Sequence, residues 1–350
     1  MDNTVKRPTV KKETKNKIRV DFERTPLKER LKAKFGTAYI YQRVVWYIFR
    51  LVLLIGISYV VLYPFISKIA ASFMSQADFV DATVRLIPKN FSLDIYKAVF
   101  TELDYWKAFV NTFELSLICA VLQTLMCCLI AYGFAKFKFK GNKILFMLVM
   151  LTMIVPHQTL KLSMLENFKR FDLYGLFAGL AKIGILPADK FGDGIRLLDS
   201  FWPLIILSAG GIAFKNGLYI FLLRQFFRGV PDELEESAYI DGSGVFKTFF
   251  TIIIPLSIPM LVTVFLFSFS WQWTDNYYTN TFFTTSRIWL WKDVVAGIPT
   301  SLKTDYPGQT LWYTAIHNTA GMMIIAPLVV MYLFCQKFLV QGIERSGIVG

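Results

Sequence analysis

The sequence predicts an all-α integral membrane protein with six transmembrane helices, on three observations. Of the 350 residues, 55% are hydrophobic and 18% charged, with a mean hydropathy of +0.46, which is more apolar than a soluble domain of this size. The apolar residues gather in runs of about 20, the number a helix needs to cross roughly 30 Å of hydrocarbon. The short connections between the runs alternate in positive charge, as cytoplasmic and external loops do.

The chain opens on a basic tail, residues 1–43, whose first half carries Lys6, Arg7, Lys11, Lys12, Lys15, Lys17 and Arg19. It has neither a long apolar run nor a small-residue cleavage site, so it reads as a retained cytoplasmic extension near anionic lipid rather than a signal peptide. The first span runs from about Val44 to Ile66, with Arg43 and Arg50 placed to snorkel to the surface. Five more follow near Asn111–Ala135, Ile144–Leu165, Phe201–Leu223, Leu256–Trp273 and Ile316–Phe338. The loop Lys136-Phe-Lys-Phe-Lys-Gly-Asn-Lys143 has four lysines and no acid, and Arg224 and Arg228 open the loop after the fourth span. Both belong inside, whereas the loops near 67–110, 166–200 and 274–315 mix signs and belong outside. Six spans with both termini cytoplasmic satisfy every loop. The domains are then the tail 1–43, a six-helix membrane domain 44–341 with an inner loop 224–255, and a short cytoplasmic tail 342–350.

The net charge of +13 is concentrated in the tail and short loops, which suits a membrane surface and not nucleic acid. Cys119, Cys127, Cys128 and Cys335 lie inside apolar runs without partners at metal-ligand spacing, so they read as helix-packing residues. His157 and His317 stand apart from paired carboxylates or thiols, no nucleophile motif surrounds any Ser or Cys, and no catalytic set emerges. Aromatics crowd two external segments: Tyr96, Phe100, Tyr105 and Trp106 in 74–110, and Tyr277, Tyr278, Phe282, Phe283, Trp289, Trp291 and Trp312 in or beside 274–315. Two readings stand for them, an interfacial belt or a surface that docks a partner or stacks on sugar. No internal repeat supports an inverted-repeat secondary transporter.

The inner loop carries the informative stretch, Arg228-Gly-Val-Pro-Asp-Glu-Leu-Glu-Glu-Ser-Ala-Tyr-Ile-Asp-Gly-Ser-Gly244. Pro231 suits a first helical position, Asp232 and Glu233 complement the positive end of the dipole, and Gly242 with Gly244 supplies a stop. A helix over about 231–241 would be roughly 16 Å long with Leu234 and Ala238 on one face. Small residues Ser237, Ala238, Gly242 and Gly244 let another surface approach closely, and Glu236 offers a carboxylate to a cationic partner. A plain solvated loop helix is the alternative. The run Gly242-Ser-Gly-Val-Phe-Lys-Thr248 resembles a phosphate loop superficially, but Phe246 stands where that loop needs Gly before the Lys.

Glu236-Ser237-Ala238, then Gly242 after three residues, then Ile252-Ile253-Ile254-Pro255 after nine more, resembles the Glu-Ala-Ala motif of binding-protein-dependent importer permeases. Ser237 and Ile254 depart from the motif in type but not in spacing. Leu223 to Gly242, Ala131 to Gly141, Met153-Ile-Val-Pro-His-Gln-Thr159 and Lys337-Phe-Leu-Val-Gln-Gly-Ile343 are similar to the carbohydrate branch, in particular its smaller six-span permease, as in maltose transporters. The resemblance covers residues from about 44 to the end. It departs in a longer basic tail and an apparent insertion from Lys182 to Ser200.

This resemblance implies a type I ATP-binding-cassette importer permease fold with a cytoplasmic coupling helix, in a bacterial-type plasma (inner) membrane, translocating a sugar or oligosaccharide. Its implied partners are a second permease, expected to be a different and larger chain, two ATPase subunits, an extracellular solute-binding protein and membrane lipid. The chain itself would bind no cofactor and be no enzyme, with ATP and Mg in the ATPase subunits. The coupling surface would comprise Glu235, Glu236, Ser237, Ala238, Asp241, Gly242, Gly244 and Pro255, with Glu236 pairing to a basic ATPase residue and the tail from Gly342 reaching the ATPase dimer interface.

Polar groups inside spans are costly and face the bundle interior, which selects Gln123, Thr124, Lys215, Asn216, Trp271, Gln272 and Asn276 as candidates for the solute path, with interhelical bonding, or for Lys215 a pairing with an acid such as Glu114, as the alternative. Pro156, Pro255, Pro259 and Pro327 predict bends. A non-sugar cargo and an autonomous secondary transporter are the competing functions.

Overall fold

The computed structural model describes residues 10–13, 17–20, 38–185, 187, 194–285, 287–303 and 306–345. Most of the basic tail, part of the inserted 182–200 loop and residues 346–350 therefore lie outside the described residues. Residues 1–67 and 68–350 form two compact units, each described by itself.

The first unit holds an antiparallel strand pair, β1 (Val10–Glu13) and β2 (Lys17–Val20), in register Val10↔Val20 to Glu13↔Lys17. These strands, absent from the sequence reading of the tail, are the described exception to an otherwise helical chain. Helix α1 (Ala38–Ala71) follows. At 34 residues it is about 50 Å long, well beyond the expected Val44–Ile66.

The second unit is built from α2 (Asp94–Thr101), α3 (Tyr105–Lys136), α4 (Asn142–Ile154), α5 (His157–Lys169), α6 (Leu176–Lys182), α7 (Trp202–Ala209), α8 (Asn216–Arg228), α9 (Glu233–Ile240), α10 (Val245–Trp273), α11 (Tyr277–Phe282), α12 (Trp291–Ala296) and α13 (Gln309–Arg345). Among the described residues α1, α3, α10 and α13 are long and apolar enough to cross a membrane alone. The third expected span is a pair, α4 and α5, bent by 98° at Pro156, which caps α5 in extended conformation because it cannot continue the hydrogen-bond ladder. The fourth is broken into α7 and α8. Gly211 and Lys215 both take positive φ, +70° and +69°, and neither piece is long enough to span.

The other prolines behave differently. Ahead of Pro255 the helix relaxes into a π turn over Phe249–Ile253, a local widening that absorbs the missing N–H. Through Pro259 and Pro327 the helices run uninterrupted, so no break occurs at either. Near Pro259, Ser257 Oγ donates to the Ile253 carbonyl at 2.8 Å and Thr263 Oγ1 to the Pro259 carbonyl at 2.8 Å, and Thr263 Oγ1 also lies 3.3 Å from the Phe338 carbonyl on α13.

Helix α3 is the spine of this unit, packing along α8, α10 and α7, while α10 also packs on α13. At one end Ile95, Leu103, Tyr105, Trp273, Trp291 and Trp312 form an apolar core, and at the other Cys127, Tyr132, Tyr219, Leu223, Phe227 and Phe249 form a second. A third joins α3 and α5 to α7 and α11 through Leu115, Phe168, Leu207, Tyr278 and Phe282. Many of the aromatics read as a belt or docking surface are thus core. Several polar tips bond to backbone carbonyls, Tyr105 to Met323 at 2.9 Å, Trp273 to Ile324 at 2.8 Å and Trp289 to Leu103 at 3.0 Å, as buried Tyr and Trp usually do, whereas Trp291 Nε1 is buried without a partner among the described residues. Trp106 stays exposed. The four cysteines are free thiols, three of them buried.

Candidate functional site

Two places gather the residues singled out from the sequence. The first is the loop helix α9. It begins at Glu233, two residues later than expected, with Asp232 as N-cap. It ends in a Schellman motif: Gly242, at φ +79°, donates to the Tyr239 carbonyl at 3.0 Å and Ser243 donates to that of Ala238 at 2.9 Å. Glycine is needed there because the left-handed cap strains any residue with a Cβ.

The face of α9 turned inward is Glu235 and Ala238, both buried. Lys136, at the end of α3, donates to the Val230 carbonyl at 2.7 Å and pairs with Asp232 Oδ1 at 2.6 Å and Glu235 Oε1 at 3.3 Å. Tyr132 Oη donates to Glu235 Oε2 at 3.1 Å. The Lys136 ammonium holds the exposed Asp232 carboxyl below the usual carboxylate range. Glu235 is therefore an anchor within the chain. Glu236, Ser237, Asp241, Gly242 and Gly244 stay on the surface, beside the exposed apolar side chains Leu234, Ile240 and Phe246. Leu234 thus leaves the face it was expected to share with the buried Ala238. Pro255 lies in α10 just after the π turn and is exposed.

The second place is a polar cleft where the broken helices meet. Thr152, Met153 and His157 from the α4–α5 bend and Gly211 to Leu218, with Lys215 among them, from the α7–α8 break line this cleft. An adjoining narrow recess is lined by Gln123, Phe214, Ser268, Trp271, Gln272, Asp275 and Tyr278 among others. Lys215 Nζ lies 4.5 Å from the ring centre of Phe214 and 4.9 Å from that of Trp271. His157 Nδ1 and Tyr278 Oη are 2.6 Å apart, and Tyr277 Oη donates to the His157 carbonyl at 2.8 Å. Asp275 accepts from the backbone N–H groups of Thr279 at 2.8 Å and Tyr278 at 3.2 Å. Burial nevertheless pushes its carboxyl above the ordinary range.

Of the path candidates, Gln123, Lys215, Asn216, Trp271 and Gln272 line this region. Gln123 Nε2 donates to Ser208 Oγ at 3.3 Å, while both side-chain amide atoms of the buried Asn216 and Nε2 of Gln272 have no protein partner among the described residues. Thr124 is turned back to its own helix, donating to the Ala120 carbonyl at 2.7 Å. Asn276 is exposed and accepts from Asn280. The suggested Lys215–Glu114 pair does not form, and Glu114 is exposed. Sequence reasoning missed Lys136 and Tyr132 as partners of α9, and His157, Asp275 and Tyr278 as cleft residues. Asp275 directly precedes the path candidate Asn276 and His157 directly follows Pro156, so both had a local signal. Lys136 and Tyr132 had none short of knowing how α3 packs.

A multi-span helical chain that exposes a short capped helix on one loop and opens a polar cleft where its other helices break is a membrane transport component. The chain belongs to the family of binding-protein-dependent transport system inner membrane components, whose family model matches residues 124–345. It is 29% identical over 296 residues to a polygalacturonan/rhamnogalacturonan transport system permease protein of Bacillus subtilis, covering 82% of this chain and 92% of that one. A galactooligosaccharides transport system permease protein of the same organism is 28% identical over 313 residues, covering 88% and 98%. Among solved structures, a bacterial ABC transporter involved in import of the acidic polysaccharide alginate shares the fold with a TM-score of 0.62 at 20% identity, covering 89% of this chain and 99% of that one. The resemblance read from Glu236 to Pro255 is confirmed. The protein is a membrane-integral part of an ATP-binding-cassette transport complex.

Proposed function

We propose that the chain is one of two permease subunits in an ATP-driven importer and moves a sugar or oligosaccharide handed over by an extracellular binding protein. The observation that carries this reading is α9. Its buried face is bolted to α3 through Lys136 and Glu235, while its other face offers Leu234, Ile240 and Phe246 exposed around Glu236 and small residues. Apolar side chains of that size on a loop mark a surface another protein covers. The occupant is a groove on an ATPase subunit, with a basic residue opposite Glu236. ATP and Mg bind in that subunit, and this chain holds no cofactor of its own. The second permease is a larger sister chain. Orientation follows from the lysine-rich 136–143 loop and the basic tail, which put both termini and α9 on the cytoplasmic side of a bacterial-type plasma membrane. The saccharide assignment is supported by the two relatives' names and by the aromatic and amide groups around Lys215.

The test is purification in detergent from the native host, followed by the variants Glu236→Ala and Gly242→Asp. An ATPase subunit that co-purifies, and whose association or transport coupling is weakened by both changes, is the expected result. A chain that purifies alone, or whose ATPase coupling ignores both variants, overturns the reading in favour of an autonomous transporter.

A further inference from the structure

The break in the fourth span has a chemical consequence. Helix α8 starts inside the bundle at Asn216, so the first-turn amides of Gly217 and Leu218 have no acceptor within their own helix, and both residues line the cleft. The positive end of a 13-residue helix therefore opens into it. Asn216 lines the same cleft while 1% exposed, with neither side-chain amide atom partnered among the described residues. Lys215, the residue before it, forms no ion pair among the described residues and lies against the faces of Phe214 and Trp271. The acid in the lining of the adjoining recess, Asp275, forms no ion pair with Lys215 and accepts from the N–H groups of Tyr278 and Thr279.

We propose that this cleft is a subsite for the carboxylate of an acidic saccharide, gripped by Lys215, Asn216 and the first turn of α8. The inference rests on the saccharide-importer reading and narrows its cargo to sugars that carry a negative charge. An unneutralised ammonium in an apolar bundle is costly, and a helix N-terminus turned into the cavity adds positive potential rather than relieving it. A neutral sugar would leave both uncompensated. A uronate ring would place its carboxylate on Lys215 and the helix start, and its apolar face against Trp271, which is half exposed and stacked edge-on by Phe214 at 5.5 Å. Discontinuous helices in other transporters present their N-termini to anionic groups by the same physics.

The experiment uses the intact importer complex purified from its native host, with tritiated trigalacturonate, its methyl ester and the neutral galactotriose as probes. The expected result is that trigalacturonate binds at least about tenfold more tightly than either neutral probe, as a charge-assisted contact provides. Lys215→Gln then removes that preference and Lys215→Arg restores part of it, with thermal melting of each complex checking that it is folded. Equal binding of charged and neutral trisaccharides, or a preference that survives Lys215→Gln, overturns the proposal. Galactotriose that stimulates ATP hydrolysis while trigalacturonate does not overturns it too, but leaves the saccharide-importer reading standing. A complex that retains its ATPase yet binds none of the three probes also overturns the charged subsite, whereas a chain without any ATPase partner fails the broader reading first.

Discussion

Removing the Lys136 side chain, as Lys136→Met, takes away the cation that ties α9 to α3. The ammonium is 7% exposed at the side chain and Glu235 is 9% exposed, with 3.3 Å between them. Breaking a buried pair on one side costs about 3–5 kcal/mol, because the remaining charge is stranded. The lower end applies, since Tyr132 and Tyr239 hydroxyls stay within reach of Glu235 and the pair with Asp232, 78% exposed at its side chain, adds little. A loss of about 3 kcal/mol is roughly a hundredfold in a local opening equilibrium. Hydrogen exchange on the assembled complex should show the amides of 235–243 losing about two decades of protection, with ATP hydrolysis running on while transport falls. The double variant Lys136→Met with Glu235→Leu removes both charges and should recover most of the protection, giving strongly non-additive energies. Unchanged exchange in the single variant, or additive losses in the double one, would refute the argument that this pair positions the helix.

Three further outcomes follow from close contacts and charge. At Gly217 an added Cβ would meet Met153 Cγ at 2.7 Å and the Val149 carbonyl at 3.1 Å, so Gly217→Ala should force α4 from α8 and cost about 1–3 kcal/mol, read as a lower melting temperature of the detergent-purified protein. At Gly342, where α13 crosses α10, a Cβ would lie 3.0 Å from the Pro259 carbonyl and against Thr263 Oγ1; Gly342→Ala should loosen the end of α13, seen as faster proteolysis after residue 338. Asp199 accepts from the N–H groups of Thr284 at 2.6 Å and Thr285 at 2.8 Å and pairs with Arg196; burial opposes ionisation there, yet these donors hold its carboxyl down at about 2. A depressed folded value means stabilisation that is present above the ordinary carboxylate range and lost as pH falls towards about 2. Exchange of the 284–285 amides should stay slow at pH 4 and accelerate near pH 2, and Asp199→Asn should flatten that dependence.

The spans were legible because twenty apolar residues in a row have one cheap solution in a bilayer, and the loop helix was legible because spacing, charge and cap residues agreed. Where helices stop was not. Pro156 breaks the third span while Pro259 and Pro327 do not break theirs, and the same residue type reads identically in each case. The difference lies in tertiary context. At Pro259 the helix is held against α13, where Thr263 Oγ1 lies 3.3 Å from the Phe338 carbonyl, whereas at Pro156 the chain turns so that His157 meets Tyr278 and Phe214. The split at 210–215 was readable as Gly210-Gly211, yet the surrounding apolar run outweighed it. Glu235 and Glu236 illustrate the same limit at a site: adjacent identical residues, one buried as an anchor and one exposed, separated only by the 100° that a helix turns per residue.

Helix α3 connects both places with a single uninterrupted rod. It runs for 32 residues without proline, carries Lys136 and Tyr132 at the end that holds α9, and carries Gln123 into the lining of the cleft, about 20 Å along the axis. At its far end Asn111 donates to the Trp289 carbonyl at 2.9 Å and Tyr105 to that of Met323. Opposite this rod stand the two broken spans, which supply most of the cleft and whose connecting segments can swing without tearing a continuous hydrogen-bond ladder. In the importer reading proposed above, a pull on α9 would travel along α3 and, through its packing on α7 and α8, reach the broken spans. Rigid elements moving against hinged ones are how a small shift at a docking surface becomes a change in access elsewhere. Asn216 on α8 and Gln272 on α10 are two of several buried polar groups without a protein partner among the described residues; these two line the cleft and the recess beside it, where a solute or water can supply the missing hydrogen bonds.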